Sequence, residues 1–125
     1  MHNHPAGTPP SSQDVKTFLS SGKIQNLHTV TSKYDYILIK TNKTTKNIEN
    51  LFEFISQKLE EEIKEKLNQE IALAQKNVEI FETQNNAKIV KRIKVNIHIK
   101  YQLQLITRLS ELFDFKFERK AWENS

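Results

Sequence analysis

The chain has 125 residues, enough for one modest hydrophobic core. It lacks cysteine, which excludes disulfides and thiolate metal sites and leaves His, Asp and Glu as metal ligands. Nineteen basic against fifteen acidic residues give a net charge of +4, too mild by itself to argue for nucleic acid.

No apolar run reaches the length of a membrane span, and the first residues lack the basic-then-apolar order of a signal peptide. We therefore expect a cytoplasmic protein without a membrane partner.

The chain opens MHNHPAGTPPSSQD, and Gly and Pro are nearly confined to the first 22 residues. This opening reads as a loop. Ser11 or Ser12 can cap a short helix from about Gln13 to Ser20, with Val15, Phe18 and Leu19 inward and Gly22 as its stop. Ile24 to Thr31 and Tyr36 to Thr41, joined by the polar Ser32-Lys-Tyr-Asp35, predict a β-hairpin. The run Tyr36–Ile39 suits a strand buried on both faces.

After Asn42 the hydrophobic period changes. Ile48, Phe52, Ile55, Leu59, Ile63, Leu67, Ile71, Ala74, Val78 and Phe81 predict one amphipathic helix from about Thr44 to Thr83, roughly 60 Å long. Its charged residues read as a solvated face. Gln84-Asn-Asn86 marks a break. Beyond Lys88 two periods compete. Ile93, Val95, Ile97 and Ile99 alternate as in a strand, whereas Ile89, Ile93, Ile97, Tyr101, Leu105 and Leu109 keep a helical step. No turn signal separates this stretch from the helical Leu105–Leu112, so we assign helix to 93–105. Phe115-Lys-Phe-Glu-Arg119 predicts a short closing strand. The whole reads as α+β, divided at 42/43 into a loop–helix–hairpin part and a helical extension that ends in a short strand.

Chemistry concentrates at the start. His2 and His4 share a face of an extended chain, the Gly-Thr-Pro-Pro loop can turn it back, and Asp14 sits in the first turn of the following helix. Two imidazoles and a carboxylate leave one coordination position open, as in catalytic zinc sites. Each piece also has a plainer reading. A terminal His-x-His is often an exposed pair, and Ser11-x-x-Asp14 is a capping box.

HNHPAGTPPSSQD resembles the JAMM motif of the JAB/MPN metallopeptidases, His-x-His-Pro followed by Ser-x-x-Asp, in a form like that of RadC-type and phage- or mobile-element-associated members. Clear similarity covers residues 2 to about 41; LSELFDFKFERK resembles the tails of phage-associated members more weakly. The resemblance implies a JAB/MPN (cytidine-deaminase-like) core and zinc held by His2, His4 and Asp14. It also implies that the Ser11 hydroxyl helps hold the oxyanion formed when zinc-activated water attacks an amide carbonyl of a protein or peptide substrate. The five-residue spacer between Pro5 and Ser11 is one shorter than the family usually has.

The family's general base is a glutamate upstream of His-x-His, and we expect this chain to be the C-terminal part of such a domain, inactive alone. Neighbours for the Tyr36–Ile39 strand are expected from the preceding part. Glu49 and Glu53 belong to the long helix, and nothing in the sequence aims them at the histidines.

Two other functional classes compete with a zinc (iso)peptidase. A non-catalytic binding or structural module, such as a phage-associated accessory protein, would act through the long helix by pairing with itself or a partner. The amino terminus with His2 and His4 could also capture Cu²⁺ adventitiously. The basic stretch Lys88, Lys91, Arg92, Lys94 lacks interleaved aromatics, so nucleic acid is not expected as a partner. His28 and His98 are assigned to structure. Trp122 either packs on the closing strand or marks a contact surface.

Overall fold

The computed structural model describes residues 2–3, 8–45, 49–81 and 86–122. It is α+β, with the order β1 (His2–Asn3), α1 (Ser12–Ser20), β2 (Asn26–Val30), β3 (Tyr34–Ile39), α2 (Glu49–Phe81), α3 (Asn86–Phe113) and β4 (Lys116–Ala121).

Helix α1 forms where a cap and an apolar stripe coincide. Ser11 is the N-cap, and Val15, Phe18 and Leu19 are buried as the spacing predicts. The stop differs from expectation. Ser21, in an extended conformation, is the C-cap, and Gly22 lies in the turn beyond it. The β2–β3 turn is also tighter than predicted, because Thr31 organises it. Its Oγ1 accepts from the backbone N–H groups of Lys33 and Tyr34 and donates to the Tyr34 carbonyl. Strand β3 therefore begins at Tyr34.

The sheet has the order β1-β2-β3-β4. The two residues of β1 run parallel to β2, and the other pairs are antiparallel. A parallel neighbour requires a crossover, which the loop and α1 provide. One face carries Leu27, Leu38 and Phe117 in register and packs under the helices. The other carries His28, Ile37 and Glu118 in register, with charged Lys116 and Lys120 along β4. Tyr36, Ile37 and Leu38 are all buried, although Ile37 lies on the outer face, where its neighbour Glu118 is exposed.

One expectation is corrected here. The second neighbour of β3 is not borrowed from a preceding segment. It is β4, from the far end of the same chain, paired from Tyr34↔Ala121 to Ile39↔Lys116. The sheet thus draws on both sides of position 42, and α2 and α3 are inserted between two adjacent strands.

Helix α2 begins at Glu49 rather than Thr44 and is about 50 Å long. Thr44 instead closes a turn, its hydroxyl donating 2.8 Å to the Asp114 carbonyl. Positions 46–48 and 82–85, where the sequence reading placed the first part of α2, its last two residues and most of the break, lie outside the described residues. Residues 93–105 are helical, as assigned. Ile97, Tyr101, Leu105 and Leu109 are buried four apart, while Val95, which an alternating strand would bury, is 41% exposed. Helix α3 ends in a Schellman motif. Asp114 takes a left-handed φ of 55°, and the Phe115 N–H returns 3.1 Å to the Ser110 carbonyl. This reversal aims β4 at the sheet. Asp is among the few residues that tolerate that conformation.

The core lies between the sheet, α1 and the sheet-proximal ends of α2 and α3. Phe18 meets Phe115 edge-on at 5.5 Å, and Phe52 meets Phe113 at the same distance. Leu59, Leu105, Ile106 and Leu109 complete it.

Candidate functional site

The parallel pairing places His2 opposite Thr29 and Asn3 opposite Val30 on β2. The next regular element described is α1, with Ser11 as its N-cap. His4 lies outside the described residues. Thr29 is fully buried, and its hydroxyl has no hydrogen-bond partner among the described residues.

At the start of α1 a reciprocal capping box forms. The Asp14 N–H donates to Ser11 Oγ at 3.2 Å, and the Ser11 N–H donates to Asp14 Oδ2 at 2.9 Å. The second bond fixes the orientation of the Asp14 carboxylate at a helix N-terminus. The plainer reading of Ser-x-x-Asp is therefore realised. It coexists with metal binding, since a ligating carboxylate is ordinarily oriented by a hydrogen bond to one oxygen. The Ser11 hydroxyl accepts from the backbone and retains its own proton as a donor.

The helical hairpin holds this turn in place, which the sequence did not reveal. Pro9 and Pro10 are fully buried, and Gln102 of α3 donates from Nε2 to the Pro10 carbonyl at 2.8 Å. The Ser12 hydroxyl donates to Glu60 of α2 at 2.5 Å, and Lys16 pairs with Glu53. The Lys16 ammonium holds the Glu53 carboxyl below its ordinary pKa. These contacts join residues up to 92 apart in the chain, and only the period of the helices hints at them.

Neither glutamate can serve the Asp14 side. Ser12 and Lys16 are each two residues from Asp14, some 200° around a helix of 3.6 residues per turn. Glu53 and Glu60 therefore dock on the far side of α1. Among the described residues, no group of three or more His, Asp or Glu side chains is placed to hold a metal ion.

The remaining histidines lie elsewhere. His28 Nδ1 is 3.0 Å from Asp35 Oδ2 on the outer sheet face, a cross-strand pair. His98 is exposed on α3. Trp122 packs against the hairpin turn, donating from Nε1 to the Thr31 carbonyl at 2.8 Å while its N–H bonds to Lys33.

A polar cavity of about 590 Å³ opens at the other end of α1, lined by Ser20, Gln25, Lys40, Thr41 and Thr45 among others. The Lys40 ammonium donates to the Ser21 carbonyl and lies 5.2 Å from the Phe18 ring centroid. Burial lowers its pKa. Among the described residues no carboxylate or imidazole lines this cavity beside Lys40. No helix among the described residues is long and apolar enough to cross a membrane.

No protein-family model matches the chain, and no curated protein or solved structure is significantly similar to it.

Proposed function

We propose that residues 2–14 form a zinc site of the JAMM type, with His2, His4 and Asp14 as ligands, on a JAB/MPN-like core. The single observation that supports this most is the Ser11–Asp14 capping box at the helix that follows β1. It holds a carboxylate in the first turn of the helix that follows the His2 strand in the chain, where a helix N-terminus also favours negative charge. Two imidazoles and a carboxylate are a donor set suited to zinc.

Bound there, zinc would polarise an amide carbonyl and lower the pKa of water, the chemistry of a metal-dependent peptidase or isopeptidase. The chain's own residues have separate tasks. Asp14, oriented by the Ser11 N–H, would hold the ion. The Ser11 hydroxyl, whose lone pair is engaged by the Asp14 N–H, would donate its proton to an oxyanion developing on the substrate. Hydrolysis further requires a general base, worth about 10² to 10⁴ in rate. Glu53 and Glu60, committed to the other side of α1, are not that base. The substrate class is an amide within, or linking, proteins. A cysteine-free chain suits a reducing compartment, and we assign the protein to the cytoplasm.

Zinc analysis after dialysis tests the site. One equivalent is expected in the unaltered chain, none after His4→Ala or Asp14→Asn, and one after His98→Ala. Asn at position 14 keeps an acceptor for the Ser11 N–H, so the helix survives the change. Equal zinc content in the Asp14→Asn protein would sink the assignment.

A further inference from the structure

The cavity at the far end of α1 holds a cation that no described acidic side chain balances. At about 590 Å³ it falls within the size range of small-molecule sites. It lies between the last residues of α1, the approach to β2 and the turn that follows β3. Apart from Leu19 and Gly22 its described lining is polar, and none of it is acidic.

Hydrogen bonds within the chain fix the frame of this cavity. Gln25 and Lys40 clamp each other, the Lys40 N–H donating to the Gln25 carbonyl at 2.9 Å and Gln25 Nε2 to the Lys40 carbonyl at 2.8 Å. The hydroxyls of Thr41 and Thr44 both donate to the Asp114 carbonyl, which ties the turn to the end of α3. Other donors of the lining are not used in that frame. They are the second amide hydrogen of Gln25, two hydrogens of the Lys40 ammonium, and the side chains of Ser20, Asn42 and Thr45.

The two half-buried lysines around α1 are treated differently. Lys16 pairs with the Glu53 carboxylate. Lys40 meets only the Ser21 carbonyl, which takes one of its three hydrogens, and the face of the Phe18 ring. Neither carries a full negative charge, and burial accordingly holds the Lys40 pKa below its ordinary value. A cation withdrawn from water is ordinarily matched by an anion.

We propose that this cavity binds a small oxyanion of the phosphate type, free or as the terminal group of a small polar molecule. Lys40 supplies the opposite charge, and Gln25, Asn42 and Thr45 supply neutral donors. An ammonium serves a phosphate as a point charge, so the direction of binding falls to those neutral donors. A cationic ligand would be repelled by Lys40, and an apolar one would leave the lining donors unpaired. The site and the proposed zinc ligand Asp14 lie at opposite ends of α1, so either can fail without the other.

Amide NMR of the full chain, titrated with inorganic phosphate and with glycerol 3-phosphate against chloride at constant ionic strength, provides the test. Shifts at Gln25, Lys40, Asn42 and Thr45 should saturate together, with a dissociation constant of about 10 mM or tighter. Lys40→Met keeps the aliphatic stem over Phe18 and should weaken binding about tenfold or more, whereas Lys58→Met on α2 should leave it unchanged. Tighter binding of glycerol 3-phosphate supports a carried group, and equal affinity supports the free ion. The unaltered chain alone can overturn the proposal, by shifts that stay linear to about 50 mM of both probes. Saturating shifts centred on Ser11–Asp14 or on Lys88–Lys94 would overturn it as well, as would full affinity in a folded Lys40→Met protein.

Discussion

The two ends of the α2–α3 hairpin are built from the same repeat and have different fates. At the sheet end, Phe52, Leu59, Leu105, Ile106 and Leu109 are buried, because β3, β4 and α1 cover the seam. Towards the tip, Leu67, Ile71, Ala74, Val90 and Ile93 occupy equivalent positions and remain half-exposed. Two helices alone leave both flanks of their seam open. Hydrophobic period fixes which side of a helix turns inward, whereas the number of neighbouring elements fixes how much water is excluded.

Core truncations should break the symmetry of the repeat most visibly. Ile106→Ala, at a fully buried position, is expected to cost about 2–5 kcal/mol in urea unfolding, and Ile71→Ala about 1 kcal/mol or less. Equal losses would mean that the tip is as well covered as the base. A smaller effect, about 1 kcal/mol, is expected for Ser11→Ala, which removes the α1 cap. Because α1 is also held by Glu60 and Gln102, the loss should be confined to the sheet end and spare amide-exchange protection near the tip.

The smallest expected effect sharpens the comparison from the other side. The Tyr101 hydroxyl, then the Lys100 ammonium, hold the Glu70 carboxyl below its ordinary value near 4.5. A lowered folded pKa contributes stability that is present above the unfolded value and lost as pH falls through the folded one. Acidification below about pH 4.5 should therefore loosen the middle of the hairpin, and Glu70→Gln should abolish that pH dependence. The same contacts raise the pKa of Tyr101 and of Lys100, so their share is present below pH 10 and fades as each deprotonates. Carboxyl titration of Glu70 by NMR, compared between the folded and the urea-unfolded chain, checks the direction.

What could be read from the sequence was local. The α1 cap and its buried triad, the hairpin and both long helices follow from composition and period within a dozen residues. The competing strand pattern at Ile93–Ile99 lost because Tyr101, Leu105 and Leu109 continue the helical stripe without a turn residue between them. The partner of β4 was not legible. A run such as Phe115–Arg119 announces a strand but carries nothing that selects β3, some 80 residues away, over any other edge. The site divides the same way. Ser11 and Asp14 meet because they are three apart, whereas the grip of Gln102 on Pro10 depends on how the whole hairpin returns to the sheet.

That return has a consequence for the growth of the molecule. The strands β3 and β4 are bridged where α2 starts and α3 ends, through bonds from Thr41 and Thr44 to the Asp114 carbonyl and from the Thr45 N–H to Phe113. The gap they span is the width of two packed helices, about 8–10 Å, whatever the length of those helices. Whole turns could be added or removed in pairs at the tip without displacing a single rung of the sheet. The hairpin is a telescoping arm on a fixed mount, and its reach is free to vary while the mount stays unchanged.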